Sequence, residues 1–140
     1  MVNGVVAAAA FGWLGLVVGV SFLETPLKFR APGITLQLGL GIGRLVFAAL
    51  HRVEIGLLAL LALALVLGAP TPAMVWSAAT VAGLLGVQLV LVRPALVRRS
   101  DRVLAGEDGP RSRAHLNYIV LEVGKVVALT ALGVFALGAR

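Results

Sequence analysis

Cysteine is absent from the 140 residues, which excludes disulfides, thiolate metal centres and thiol redox chemistry. Charge is scarce too, with Asp, Glu, Lys and Arg at 13% against 60% hydrophobic residues. A water-soluble domain of this length needs more polar surface than that to cover its core. The mean hydropathy of +1.04 agrees, and an integral membrane protein is the class that fits. Aromatics are only 6% of the chain, so interfacial belts are thin, with Trp13 and Trp76 as the expected anchors. The first charged residue is Glu24, so no basic segment precedes the first apolar stretch. Met1 to Leu23 therefore reads as a membrane helix rather than a secretory leader. The two-residue alternation of an outer-membrane barrel is missing as well.

What is present is a set of four apolar stretches, at residues 5–23, 44–67, 73–92 and 115–138. Each has about the 20 residues that cross a bilayer's hydrocarbon core. Backbone groups in lipid must be satisfied within the segment, so the predicted fold is all-α: one four-helix transmembrane domain over 1–140. Glu24-Thr25-Pro26 and Arg93-Pro94 are expected to end the first and third spans. Gly68-Ala69-Pro70-Thr71-Pro72 ends the second, and Gly106-Glu107-Asp108-Gly109-Pro110 marks a turn. Leu36 to Gly43 extends the second span as an interfacial segment in this reading.

The net charge of +6 would suit nucleic acid in a soluble protein. Here it concentrates in one link, residues 93–114, which carries Arg93, Arg98, Arg99, Arg102, Arg111 and Arg113. The 24–43 link holds Lys28 and Arg30, while the link between the second and third spans holds no charge. By the positive-inside rule the two basic links are cytoplasmic and both termini outside, in the inner (plasma) membrane. Membrane lipids are thus the expected partners, with anionic headgroups at the arginine link. A homo-oligomer or a place in a larger membrane complex is expected, because four short helices enclose little volume. Gly15-x-x-x-Gly19 and Ala79-x-x-x-Gly83 are small-residue motifs of the kind that let membrane helices meet.

Two spans carry the same polar stripe. Arg44, His51 and Glu54 fall at spacing 0, +7, +10, and so do His115, Glu122 and Lys125. At about 100° per residue each trio occupies about 80° of arc, one face of a helix. Ionisable groups among Leu, Val and Ala are costly unless they meet one another or water, so they mark a candidate site. The second and fourth spans run in the same direction. Superposing the stripes sets His51 level with Glu122 and Glu54 level with Lys125, acid against base at each level. Tyr118 joins the same face. The candidate ligand- or ion-binding residues are therefore Arg44, His51, Glu54, His115, Tyr118, Glu122 and Lys125.

Histidine and carboxylate in series suit proton relay in a hydrated cavity. The competing reading is an inert clamp that sets helix register. His51-Arg52-Val53-Glu54 is also an H-x-x-E, which raises metal binding, and His51 with His115 raises axial haem ligation. No resident cofactor is expected. The four Ser at positions 21, 77, 100 and 112 lack a His and carboxylate at recognisable local spacing, so nucleophilic catalysis has little support.

A shorter echo links the halves of the chain: Pro26-Leu27-Lys28-Phe29-Arg30 and Pro94-Ala95-Leu96-Val97-Arg98 each leave an apolar span ahead of a striped one. Two related helical hairpins are the construction this suggests. Phe22, Pro26, Phe29-Arg30, the Gly39 to Phe47 stretch and His115-Leu116-Asn117 together resemble small bacterial four-helix membrane proteins related to eukaryotic transmembrane protein 205. That resemblance implies a four-helix membrane fold and a role in solute or metal export. The chain departs from the pattern at His51, Glu54, Glu122 and Lys125. The expected function is a non-enzymatic membrane protein that binds or moves a small solute, ion or proton. Two alternatives stand beside it: an accessory subunit of a membrane complex, and a metal- or haem-dependent membrane enzyme.

Overall fold

The computed structural model of the protein describes residues 1–105 and 113–139, the side chains of 113–115 excepted. The expected turn at 106–110, the Arg111 and Arg113 side chains and the His115 side chain lie outside the described residues. Four helices carry the chain: α1 Val2–Lys28, α2 Leu36–Leu67, α3 Pro72–Leu104 and α4 Arg113–Gly138. All four are long and apolar enough to cross a membrane. No strand occurs among the described residues.

The helices begin where local chemistry supplies a partner for their free N–H groups. Thr35 caps α2 by accepting the Leu38 N–H at 3.1 Å, and Thr71 caps α3 by accepting the Met74 N–H at 3.3 Å. Pro72 sits in the first turn of α3, where its missing N–H costs nothing. Between α1 and α2 the chain reverses through Gly33, whose φ of 79° is open to glycine at little cost.

Two boundaries differ from expectation. Pro26 and Pro94 do not end their helices; α1 and α3 run through them to Lys28 and Leu104. In each case the turn just ahead is π-helical, Val18–Glu24 and Gln88–Val92. The Thr25 N–H reaches back five residues to the Val20 carbonyl, and the Arg93 N–H to that of Gln88. The widened turn re-pairs the backbone around the residue that lacks a donor, so the proline starts a fresh α-turn instead of a stop. α2 likewise starts at Leu36, so Leu36 to Gly43 belongs to a continuous helix.

The spans alternate in direction and each neighbours the next in chain order, with α1 and α4 also adjacent. α2 and α4 thus face each other across the diagonal, with few close backbone approaches. Neighbouring helices come close where glycine permits. A methyl group on Gly133 of α4 would overlap the Phe11 ring of α1, and one on Gly124 would press on Leu84 of α3. Gly15, Gly19 and Gly83 meet nothing within 4 Å, so the two predicted small-residue motifs do not pack within the chain.

The buried core is apolar toward the end where the chain begins and ends: Val6, Ala10, Leu61, Met74, Val81, Leu129, Leu132 and Ala136. Outside, Leu45, Val66, Trp76, Val90 and Val127 are each more than 60% exposed. A surface of that composition on four long apolar helices is one that faces lipid. The chain is a multi-pass membrane protein.

Candidate functional site

The inward face of α4 reads Ala136, Leu132, Leu129, Lys125, Glu122, Tyr118, in steps of three or four residues. That of α2 reads Ala64, Leu61, Glu54, His51. Both faces change from apolar to polar at one depth. Glu54 lies 13 residues before Leu67, Lys125 13 before Gly138, and Trp13 11 after Val2. At 1.5 Å per residue this is about 17–20 Å from the same end of the bundle, so three helices deliver these side chains to one level.

There the Lys125 ammonium forms salt bridges to Glu54 Oε2 and to Glu122 Oε1, the latter at 2.5 Å. All three residues are at most 1% exposed. Because α2 and α4 stand across the diagonal, long side chains bridge the space, and Lys125 of α4 reaching Glu54 of α2 does so. Glu122 also accepts Ser21 Oγ on Oε2 at 2.5 Å and Gln88 Nε2 on Oε1 at 2.6 Å. Ser21 and Gln88 both belong to the π-helical turns of α1 and α3. Glu54 Oε2 additionally accepts the Trp13 indole N–H at 2.8 Å.

A second polar layer lies toward the basic links. His51 Nε2 and the Tyr118 hydroxyl are 3.2 Å apart, and the Phe47 ring stands edge-on to Tyr118 at 5.4 Å. Together the two layers form a column of ionisable groups running seven residues along α4, from Lys125 to Tyr118, or roughly 10 Å. The apolar core closes it at one end.

Of the residues singled out from sequence, the structure brings together His51, Glu54, Tyr118, Glu122 and Lys125. Arg44 is elsewhere: exposed, it pairs with Asp101 on α3 at 2.6 Å, tying two helices beyond the cluster. A long side chain at the exposed surface with an acid beside it has no reason to enter the bundle. Glu54 meets Lys125 at the level the stripes suggest, whereas the hydrogen bond of His51 goes to Tyr118, one turn from Glu122. The column is packed rather than an open cavity, each member being at most 6% exposed.

Trp13 is the clearest departure. It is wholly buried and hydrogen-bonded, whereas Trp76, 74% exposed, sits on the surface as an anchor would. An indole fills volume in an apolar interior and still presents one donor, which is what a buried carboxylate needs. Ser21 and Gln88 were not candidates from sequence. The signal available was position: each is a hydrogen-bonding side chain in an apolar span, five residues before Pro26 or six before Pro94.

Among the described residues no three of His, Asp and Glu gather as metal ligands. Between the two glutamates the position a divalent ion would take is filled by the Lys125 ammonium. No family model, no curated protein and no solved structure matches the chain. Its chemistry therefore has to be read from the column itself.

Proposed function

We propose that this chain is an inner (plasma) membrane protein that binds and relays a small ion or proton through the polar column between α2 and α4. The observation that carries this reading is one ammonium shared by two carboxylates in a fully buried site. Ionised groups inside a membrane domain are expensive, and they are kept where function needs them. Two carboxylates against one ammonium leave an unmatched negative charge, which one further cation or proton neutralises.

The column has a direction. Lys28, Arg30, Arg44 and Arg93 lie toward its Tyr118 end, and the uncharged link between α2 and α3 lies at the other. The positive-inside rule supports a cytoplasmic position for the basic end, with both termini outside. Ions then enter from the cytoplasm, and the buried layer of Trp13, Leu61 and Leu129 is the barrier that the relay has to carry them past. The paired π-helical turns ahead of Pro26 and Pro94 support a two-hairpin construction whose cytoplasmic halves can bend to pass the ion on. Export of a solute or metal, which the family resemblance implies, is compatible with such a relay.

Purified protein in liposomes loaded with a pH-sensitive dye tests the reading. An imposed proton gradient should collapse faster with the parent protein than with Glu122→Gln. Equal rates would overturn it. The cysteine-free background makes orientation testable as well: Thr71→Cys should react with an impermeant maleimide from outside, and Ala31→Cys only after the membrane is opened.

A second reading rests on a separate observation. Gly15, Ala79 and Gly83 stand open on the lipid-facing surface, which favours close approach of a further helix. The chain would then be a subunit, of a homo-oligomer or of a larger complex, with the column as a clamp. A lone monomer in mild detergent would count against this.

A further inference from the structure

The two carboxylates that share Lys125 are not equivalent. Glu122 has donors on both oxygens, from Ser21, Gln88 and Lys125. Glu54 takes its two donors, Trp13 and Lys125, on the same oxygen. Its other oxygen, Oε1, is buried and has no hydrogen-bond partner among the described residues.

An ionised carboxylate spreads its charge over both oxygens, and a bare one in an apolar interior is strongly unfavourable. A protonated carboxyl suits the same surroundings. Oε2 acts as the carbonyl and accepts both donors, while Oε1 carries the hydrogen. The charge sum agrees. Glu54 and Glu122 ionised, Lys125 charged and His51 neutral add to −1; one proton on Glu54 brings the total to zero.

His51 cannot supply the missing charge without loss. Its Nδ1 has no partner among the described residues, so a second N–H would be buried and unbonded. A neutral ring with Nε2–H donating to the Tyr118 oxygen leaves the Nδ1 lone pair free. Among the described residues Glu54 is faced by Trp13 from α1 and by Tyr118, Glu122 and Lys125 from α4, with His51 one turn away on α2; Ser21 of α1 and Gln88 of α3 stand one contact further, on Glu122.

We infer that the ion held by the column is a proton, carried on Glu54 Oε1, with Glu122 and Lys125 as a standing ion pair beside it. This rests on the relay reading and names its ion. On release the O–H bond breaks and its electron pair stays on Glu54. The proton goes to an incoming water molecule, and the −1 left behind is spread over Glu54 and Glu122, which share Lys125. A metal cation would have to displace that ammonium.

Infrared spectroscopy of the purified protein at neutral pH tests this. The acid carbonyl of a protonated carboxyl absorbs apart from ionised carboxylates, so one such band is expected. Trp13→Phe removes a donor from the Glu54 carbonyl and should move the band to higher wavenumber; Ser21→Ala removes a donor from Glu122 and none from Glu54, and should leave it in place. Absence of the band, a band that Ser21→Ala moves, or one that Trp13→Phe leaves unmoved each overturns the inference. Should Trp13→Phe not fold, melting of two other variants decides. Glu54→Gln, an isostere of the neutral acid, should melt near the parent, and Glu122→Gln clearly lower; the reverse order overturns the inference. The infrared and flux results are independent. A band that follows Trp13 without any proton flux keeps the proton on Glu54 and removes the relay.

Discussion

Replacing Lys125 with methionine probes the centre of the molecule most directly. The side chain is wholly buried and bridges two carboxylates, and methionine keeps its length and apolar stem while deleting the charge. Glu122 would then be an ionised group with no counter-charge, kept only by Ser21 and Gln88. Removing one partner of a buried ion pair costs about 3–5 kcal/mol, because the charge left behind cannot regain water. For a chain near this size about 2–4 °C of melting temperature accompanies each kcal/mol, so Lys125→Met should melt roughly 6–20 °C below the parent. Fluorescence of Trp13, hydrogen-bonded to the same cluster, reports the transition. The companion is Lys125→Met with Glu122→Gln, which removes both charges of the standing pair. Apolar replacement of a buried pair is often neutral or stabilising, so most of the loss should return. A single variant that melts within about 2 °C of the parent would mean that the ammonium is not where the stability lies. A double variant as unstable as the single would mean that Glu54 carries the unmatched charge instead, and the charge assignment would fail.

Three further outcomes follow from particular contacts. Gly133→Val drives a side chain into the Phe11 ring between α1 and α4 and should cost about 1–3 kcal/mol in a melting experiment; Gly15→Val, which meets nothing within 4 Å, should cost far less. Arg44→Ala breaks a half-exposed pair with Asp101, so the change should stay under about 1 kcal/mol and shrink with added salt. Lipids bearing a quencher on the acyl chain should dim Trp76 and spare Trp13, which a Trp13→Phe and Trp76→Phe pair resolves by difference; equal quenching would refute the buried indole.

The weight placed on a handful of polar contacts has a physical basis. In lipid, the hydrophobic effect does not drive one helix against another, since acyl chains are as apolar as leucine side chains. Helices associate through packing at small residues, here Gly124 and Gly133, and through polar groups that would otherwise be stranded. The column does both jobs at once. It holds four helices to one register, with donors from α1, α3 and α4 and acceptors on α2 and α4. It also keeps titratable groups away from lipid. The π-helical turns connect these roles, because each presents one of the side chains that hold Glu122.

Sequence by itself determined the all-α class, the four spans and the gathering of His51 with Glu54, and of Tyr118, Glu122 and Lys125, on single helical faces. Apolar run length and the 3.6-residue period are local properties, and a lysine or glutamate in such a run has few places to go. Sequence could not show that Trp13 points inward. Around Trp13 every face of α1 is made mostly of Val, Ala, Gly and Leu, so nothing local says which one meets the bundle. The same holds for Ser21 and Gln88, whose orientation depends on π-helical turns that shift the phase of the helix just before each proline. Arg44 shares a face with His51 and Glu54, yet its partner sits on another helix more than 50 residues away. Rotation about the helix axis and depth relative to neighbours are set by contacts between distant segments, and only the tertiary structure decided them.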